Sequence, residues 1–106
     1  MEETVKIDFS DGTLSCAPCG DLDHHAERRA SVRIDRALYE YRPRRLIIDL
    51  SSVGFADSSA LGLIMGRRKL CEELSVTMSL CGVGESILSM LRLTGLRVGL
   101  EILQKT

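Results

Sequence analysis

Apolar and polar positions alternate at the start of the chain. Val5, Ile7 and Phe9 take turns with Thr4, Lys6 and Asp8, which predicts a half-buried strand. Ser10-Asp11-Gly12 is a hairpin-type turn, and Thr13 to Cys19 resumes as a second strand with Leu14 and Cys16 on one face. Pro18 offers no backbone donor, so that end belongs at an edge or a bulge. Gly20-Asp21-Leu22-Asp23 breaks the strand and supplies helix N-cap residues. Ala26, Ala30, Ile34, Leu38 and Tyr41 then recur at helical spacing, with Ala37 beside them, until Pro43 ends the region.

The period changes again at Leu46-Ile47-Ile48-Asp49-Leu50. This nearly continuous apolar run predicts a central strand buried on both faces. A loop over Ser51 to Phe55 leads to a second set of capping residues, Asp57-Ser58-Ser59, and a helix from Ser59 to Leu74. Val76 to Cys81 is a strand. Gly84-Glu85-Ser86 opens a helix running to Leu93, with Gly95 placed to cap it. Leu96, Val98, Leu100 and Ile102 alternate as a last strand. Strands linked by helices pair in parallel and the opening hairpin is antiparallel. The expected fold is an α/β single domain over residues 1–106: one mixed, mostly parallel sheet with helices packed on it.

Composition narrows the function. Hydrophobic residues make up 44% of the 106, enough for a core, but aromatics are only 4%, so the core is aliphatic. That leaves few stacking platforms for single-stranded nucleic acid. A net charge of −1 gives no general attraction to nucleic acid or acidic membranes. No apolar run approaches the ~20 residues of a membrane span, and the acidic start Met1-Glu2-Glu3 is unlike a signal peptide. A cytoplasmic location is the expectation.

Of four cysteines, Cys71 and Cys81 stand in apolar surroundings and read as small core residues. Cys16 and Cys19 form a C-x-x-C, with His24 and His25 following. A metal or redox site is the sharper reading, but no second C-x-x-C supplies further zinc ligands, and the motif closes a strand instead of opening a helix. Structural cysteines are the better reading. Arg28, Arg29, Arg33 and Arg36 line the outer side of the first predicted helix. A solvated face explains them most simply, and a docking patch for an acidic partner is the alternative.

The segment Gly54-Phe55-Ala56-Asp57-Ser58-Ser59-Ala60-Leu61-Gly62 carries most information. Asp and Ser are ordinary helix caps. The helix they open is less ordinary. On a wheel, Ala60, Leu63, Ile64, Leu70, Cys71 and Leu74 form the core stripe. Leu61, Met65, Arg68 and Glu72 form a second stripe below Ser58, flanked by Gly62 and Gly66. Each glycine costs about 1 kcal/mol of helix propensity against alanine. An apolar pair beside bare backbone suits the close approach of a partner protein. Arg67 falls near the core stripe, and snorkelling is the only account the sequence offers for it.

Ser58 is no hydrolase nucleophile by pattern. An elbow reads G-x-S-x-G, whereas Ala56 and Ala60 flank Ser58, and Asp57 and Leu61 flank Ser59. No G-x-x-x-x-G-K-[ST] loop is present for nucleotide phosphates. An exposed serine that receives phosphate from a kinase needs no such apparatus. The group adds about −1.5 to −2 charges, tolerated by helix amides and repelled by Asp57, and by Asp23 if the fold brings it near. No catalytic, metal or cofactor-binding residue is assigned.

Two stretches carry a family resemblance. Gly20-Asp21-Leu22-Asp23-His24-His25 resembles a Gly-Glu-Leu-Asp-His-His at the start of a first helix. Phe55-Ala56-Asp57-Ser58-Ser59-Ala60-Leu61-Gly62, then Gly66-Arg67, resembles a Phe-x-Asp-Ser-Ser-Gly-Leu-Gly phosphorylation segment, and Leu91-x-x-Thr94-Gly95-Leu96 adds a third match. These motifs are similar to those of bacterial STAS-domain anti-sigma-factor antagonists, most of all the sporulation type that antagonises an anti-sigma-F factor. The resemblance implies Ser58 as phospho-acceptor, with Asp57 and Ser59 flanking it and Asp23 beside that loop; with Leu61, Gly62 and Met65 from the helical wheel, these residues make up the expected partner surface. The resemblance also implies an anti-sigma factor that is also a serine kinase and binds ATP itself, and a serine phosphatase that resets the switch. No nucleic acid or membrane takes part. The alternative is a STAS scaffold or ligand-binding module never regulated by phosphorylation. Ala60 departs from the family glycine. The final helix that relatives usually carry is expected to be missing, because the chain stops at Thr106.

Overall fold

The alternation at the N-terminus becomes a hairpin in the computed structural model, which describes residues 4–104. The readings at Met1-Glu2-Glu3 and Thr106 lie outside the described residues. Strand β1 (Val5–Ser10) turns through Asp11 and Gly12, both at positive φ, into β2 (Thr13–Pro18). Next come β3 (Gly20–Leu22), α1 (His24–Tyr41), β4 (Arg45–Asp49), β5 (Val53–Ala56), α2 (Ser59–Leu74), β6 (Thr77–Cys81), α3 (Glu85–Leu93) and β7 (Glu101–Leu103). The main sheet has five strands in the order β1-β2-β4-β6-β7. Only the β1–β2 pairing is antiparallel, as the hairpin demands; the other three are parallel. This is the α/β arrangement that the order of elements implied.

Register sorts the side chains into two faces. Leu14 pairs with Leu46, Cys16 with Ile48, and Ile48 with Leu80, and all five are fully buried. The core joins them to Ala30, Ile34 and Leu38 of α1, Leu63, Ile64 and Cys71 of α2, and Ile87 and Leu91 of α3. The opposite face carries Ser15, Ile47, Ser79 and Glu101 in one paired row. Ile47 is only half-buried there, so β4 is covered on one face and not on both. Its apolar run reflects a central position in the sheet more than a second helical layer. On that face the Arg45 guanidinium reaches both the Ser79 hydroxyl (3.1 Å) and the Glu101 carboxylate (2.9 Å).

Pro18 lies beyond the β2–β4 ladder, which ends at Cys16, so its missing donor leaves no gap. Two further expectations change. Gly20–Leu22 and Val53–Ala56, read as a break and a loop, pair in parallel as a separate two-stranded sheet. They are too short to show a period, and their partners lie some thirty residues apart. The last strand is Glu101–Leu103, not Leu96–Ile102. Gly95 (φ +76) and Gly99 (φ +75) hold left-handed backbone, which turns the chain instead of extending it. Arg68 fastens that turn through the carbonyls of Leu96 (3.3 Å) and Val98 (3.1 Å).

Candidate functional site

The small β3–β5 sheet builds the site. Leu22 pairs with Ala56, so the next residues, Asp23 and Asp57, leave parallel strands side by side and start α1 and α2 together. Asp23 is the N-cap of α1, its carboxylate accepting from the Ala26 N–H at 2.9 Å. Asp57 does the corresponding work for α2. Its Oδ1 accepts from the Ser59 N–H at 2.7 Å and its carbonyl accepts from the Ala60 N–H at 3.1 Å. Bonds from Ser59, with the nearby His24 adding to them, hold the Asp57 carboxyl below the usual carboxylate range.

This arrangement sets Ser58 free. It stands at the mouth of α2 with helical backbone (φ −62°, ψ −13°), is exposed, and makes no side-chain cap bond. The cap is supplied by its neighbour. A third acid joins the pole: Asp21 Oδ1 accepts from the Phe55 N–H at 2.9 Å and tethers β5 to β3. Sequence reasoning passed over Asp21 as part of a strand break. Its signal was the alternation of Asp21 and Asp23 around the buried Leu22.

Below Ser58, α2 presents Met65, 49% exposed, while Leu61 is half-buried against the core. Gly62 has a reason inside the molecule. A Cβ there would stand 3.0 Å from Glu27 Oε1 of α1, whereas one on Gly66 would meet open space. Arg67 does not snorkel. It is buried between α1 and α2, donates to the Ser31 hydroxyl, and its Nε lies 2.8 Å from Asp35 Oδ1. Burial raises the Asp35 carboxyl, and Arg67 works against that rise. Beside the Ser58 loop a groove of about 470 Å³ opens between Phe55 and Ile87, at the carboxyl ends of β4 and β6.

The C-x-x-C gives Cys16, buried, and Cys19, half-buried, and both are free thiols. Burial pushes the Cys16 thiol up to about 12 and the Cys71 thiol to about 11. Among the described residues no His, Cys, Asp and Glu group has the arrangement of a metal site. No helix among them is long and apolar enough to cross a membrane.

Known proteins resemble this chain in sequence and in fold. An anti-sigma F factor antagonist of Paenibacillus polymyxa is 29% identical over 96 residues, covering 91% of this chain and 82% of that protein. One from Lysinibacillus sphaericus is 34% identical over 56 residues, 53% of this chain and 48% of that protein. The anti-sigma factor antagonist SpoIIAA in its unphosphorylated form superposes with a TM-score of 0.77 at 21% identity, over 96% of this chain and 89% of that one. Moorella thermoacetica RsbS gives 0.83 at 19%, over 98% and 89%. The STAS domain model matches residues 4–104, so by fold and by sequence this chain belongs to the STAS domain family.

Proposed function

We propose that the chain is an anti-sigma-factor antagonist switched by phosphorylation of Ser58. Unphosphorylated, it binds an anti-sigma factor that is also a serine kinase, and the sigma factor is released to act in transcription, in sporulation as the sequence resemblance implies. The kinase holds the ATP and supplies the base; this chain supplies an acceptor and no cofactor. A serine phosphatase restores the binding form, and the cycle runs in the cytoplasm without nucleic acid or membrane.

The supporting observation is the exposed Ser58 hydroxyl, left uncapped because Asp57 caps α2 in its place. A phosphate there brings about −1.5 to −2 charges into a pole that already holds Asp21, Asp23 and Asp57. The partner surface is Asp23, Asp57, Ser59, Leu61, Gly62 and Met65. Met65 lies seven residues, about 10 Å, along α2 from Ser58, within one partner's footprint. An anion at the centre of that footprint repels a surface matched to the unmodified pole, so no refolding is needed. SpoIIAA, of the same fold, is known in both unphosphorylated and phosphorylated forms.

The test is peptide mass spectrometry after incubation with an anti-sigma F factor of serine-kinase activity and ATP, together with affinity for that factor. One phosphate on Ser58, retained binding by Ser58→Ala and at least tenfold weaker binding by Ser58→Asp are the expected results. Binding indifferent to every Ser58 substitution would point instead to an unphosphorylated scaffold.

A further inference from the structure

Helix α1 is sorted by charge. Two of its three acids face α2: Glu27 lies against Gly62, and Asp35 pairs with Arg67. The third, Glu40, stands at the rim of the outer side. Arg28, Arg29 and Arg36 are exposed, and among the described residues none of them has an ion-pair partner. At 100° per residue, Arg28, Tyr39, Val32, Arg36 and Arg29 fall in that order within one sector of about 100°. Val32 and Tyr39, seven residues apart along its middle, are 54% and 52% exposed.

The aromatic residues are distributed in the same sense. The chain has four, and all four are exposed. Phe55 stands at the Ser58 pole. The other three gather around α1: Tyr39 on its outer face, and Tyr41 stacked on Phe9 of the edge strand with centroids 4.9 Å apart. Between α1 and that strand runs a groove of about 280 Å³, lined by Ile7, Arg33, Arg36, Glu40 and Tyr41. An aliphatic core with every aromatic outside it leaves the most burial-rich side chains for contact with something else.

We propose that the outer face of α1 is a second docking surface, separate from the Ser58 pole, and that its occupant is an acidic amphipathic helix of a partner protein. Val32 and Tyr39 match apolar residues seven apart on a facing helix, and Arg28, Arg29 and Arg36 call for carboxylates beside them. The acidic pole with Asp21, Asp23 and Asp57 begins at the N-terminus of this same helix. An extended polyanion such as a duplex or an anionic bilayer meets repulsion there, which a short acidic helix avoids.

The probe is a synthetic helix of about 18 residues, with leucines seven apart on one face and glutamates flanking them, titrated into the isotopically labelled protein. A scrambled peptide of equal composition, anionic phosphatidylserine vesicles and a DNA duplex serve as comparisons. The expected result is saturable amide shifts confined to residues 28–41, weaker binding at higher salt, and no shifts from the scrambled peptide. Arg28→Glu/Arg29→Glu/Arg36→Glu should weaken binding about tenfold or more and Tyr39→Ala about fivefold, with thermal melts unchanged. Ser58→Ala should bind the peptide as wild type does, which separates this surface from the phosphorylation switch. Absence of saturable shifts on α1, equal binding of the scrambled peptide, indifference to either substitution, or tighter binding of vesicles or duplex would each overturn the proposal.

Discussion

Replacing Arg67 by alanine removes the clasp that fixes the Ser58-bearing helix on α1. The Arg67 side chain is 11% exposed and that of Asp35 is 33% exposed. Breaking a fully buried pair from one side costs about 3–5 kcal/mol, because the remaining charge is stranded. Exposed pairs contribute about 0–1 kcal/mol. Asp35 keeps a third of its surface and can draw in water, which places Arg67→Ala at about 2–3 kcal/mol. The apolar stem of Arg67 and its bond to Ser31 lie within that figure. For a domain of this size the loss corresponds to about 10–20 °C in Tm.

The pH dependence has a definite sign. Burial is the largest influence on Asp35 and lifts it above 3.8, while Arg67 pulls it down. A raised acid contributes stability that is present below its unfolded value and lost as pH rises through the folded value. Without Arg67 nothing opposes the rise. The penalty for Arg67→Ala should therefore grow from about pH 4 to about pH 7, and Asp35→Asn should flatten that slope. Urea melts of wild type and both variants across this range provide the measurement. A loss below about 1 kcal/mol for Arg67→Ala, or a penalty that shrinks as pH rises, would refute the account.

Other outcomes follow from the same geometry. Gly82→Ala should cost about 2 kcal/mol or more in denaturant melts, since Gly82 is at φ +65° and a Cβ would stand 2.7 Å from the Ser51 backbone N. Gly62→Ala should stay within about 0.5 kcal/mol of wild type, because the flexible end of Glu27 can yield and helix propensity improves. Arg68→Ala should speed hydrogen exchange of the 95–100 amides while leaving the core strands protected, as it cuts the bonds to the Leu96 and Val98 carbonyls. Titration with a thiol reagent at about pH 8 should leave Cys16 and Cys71 unmodified until the protein unfolds, since both are buried and their thiols are pushed far above that pH.

The longer elements were legible in the residues alone because their periods are local. Val5, Ile7 and Phe9 alternate on one strand, and Ala30, Ile34 and Leu38 repeat on one helix, so each pattern can be read within its own segment. The order of these elements was enough to imply a mixed sheet, and the Phe55–Gly62 segment with Asp23 carried the family resemblance. What stayed hidden depended on residues distant in the chain. The β3–β5 sheet joins two segments of three and four residues, each too short to declare itself. Gly95 ends α3 at positive φ as its capping position implied, but Gly99 could have been strand or turn until the packing around Arg68 was in place. Arg67 looked misplaced on its helix because Asp35 and Ser31 belong to the facing one.

At Ser58 the two levels meet. By itself the sequence determined that a serine would stand among capping residues at a helix mouth, because Asp, Ser and Gly at such spacing have few other uses. Only the tertiary structure decided that Asp57 and not Ser58 makes the cap, and that Asp21 and Asp23 stand beside it. A cap is chosen by backbone angles, and the acidic pole exists because a parallel pairing between segments more than thirty residues apart brings two helix starts together.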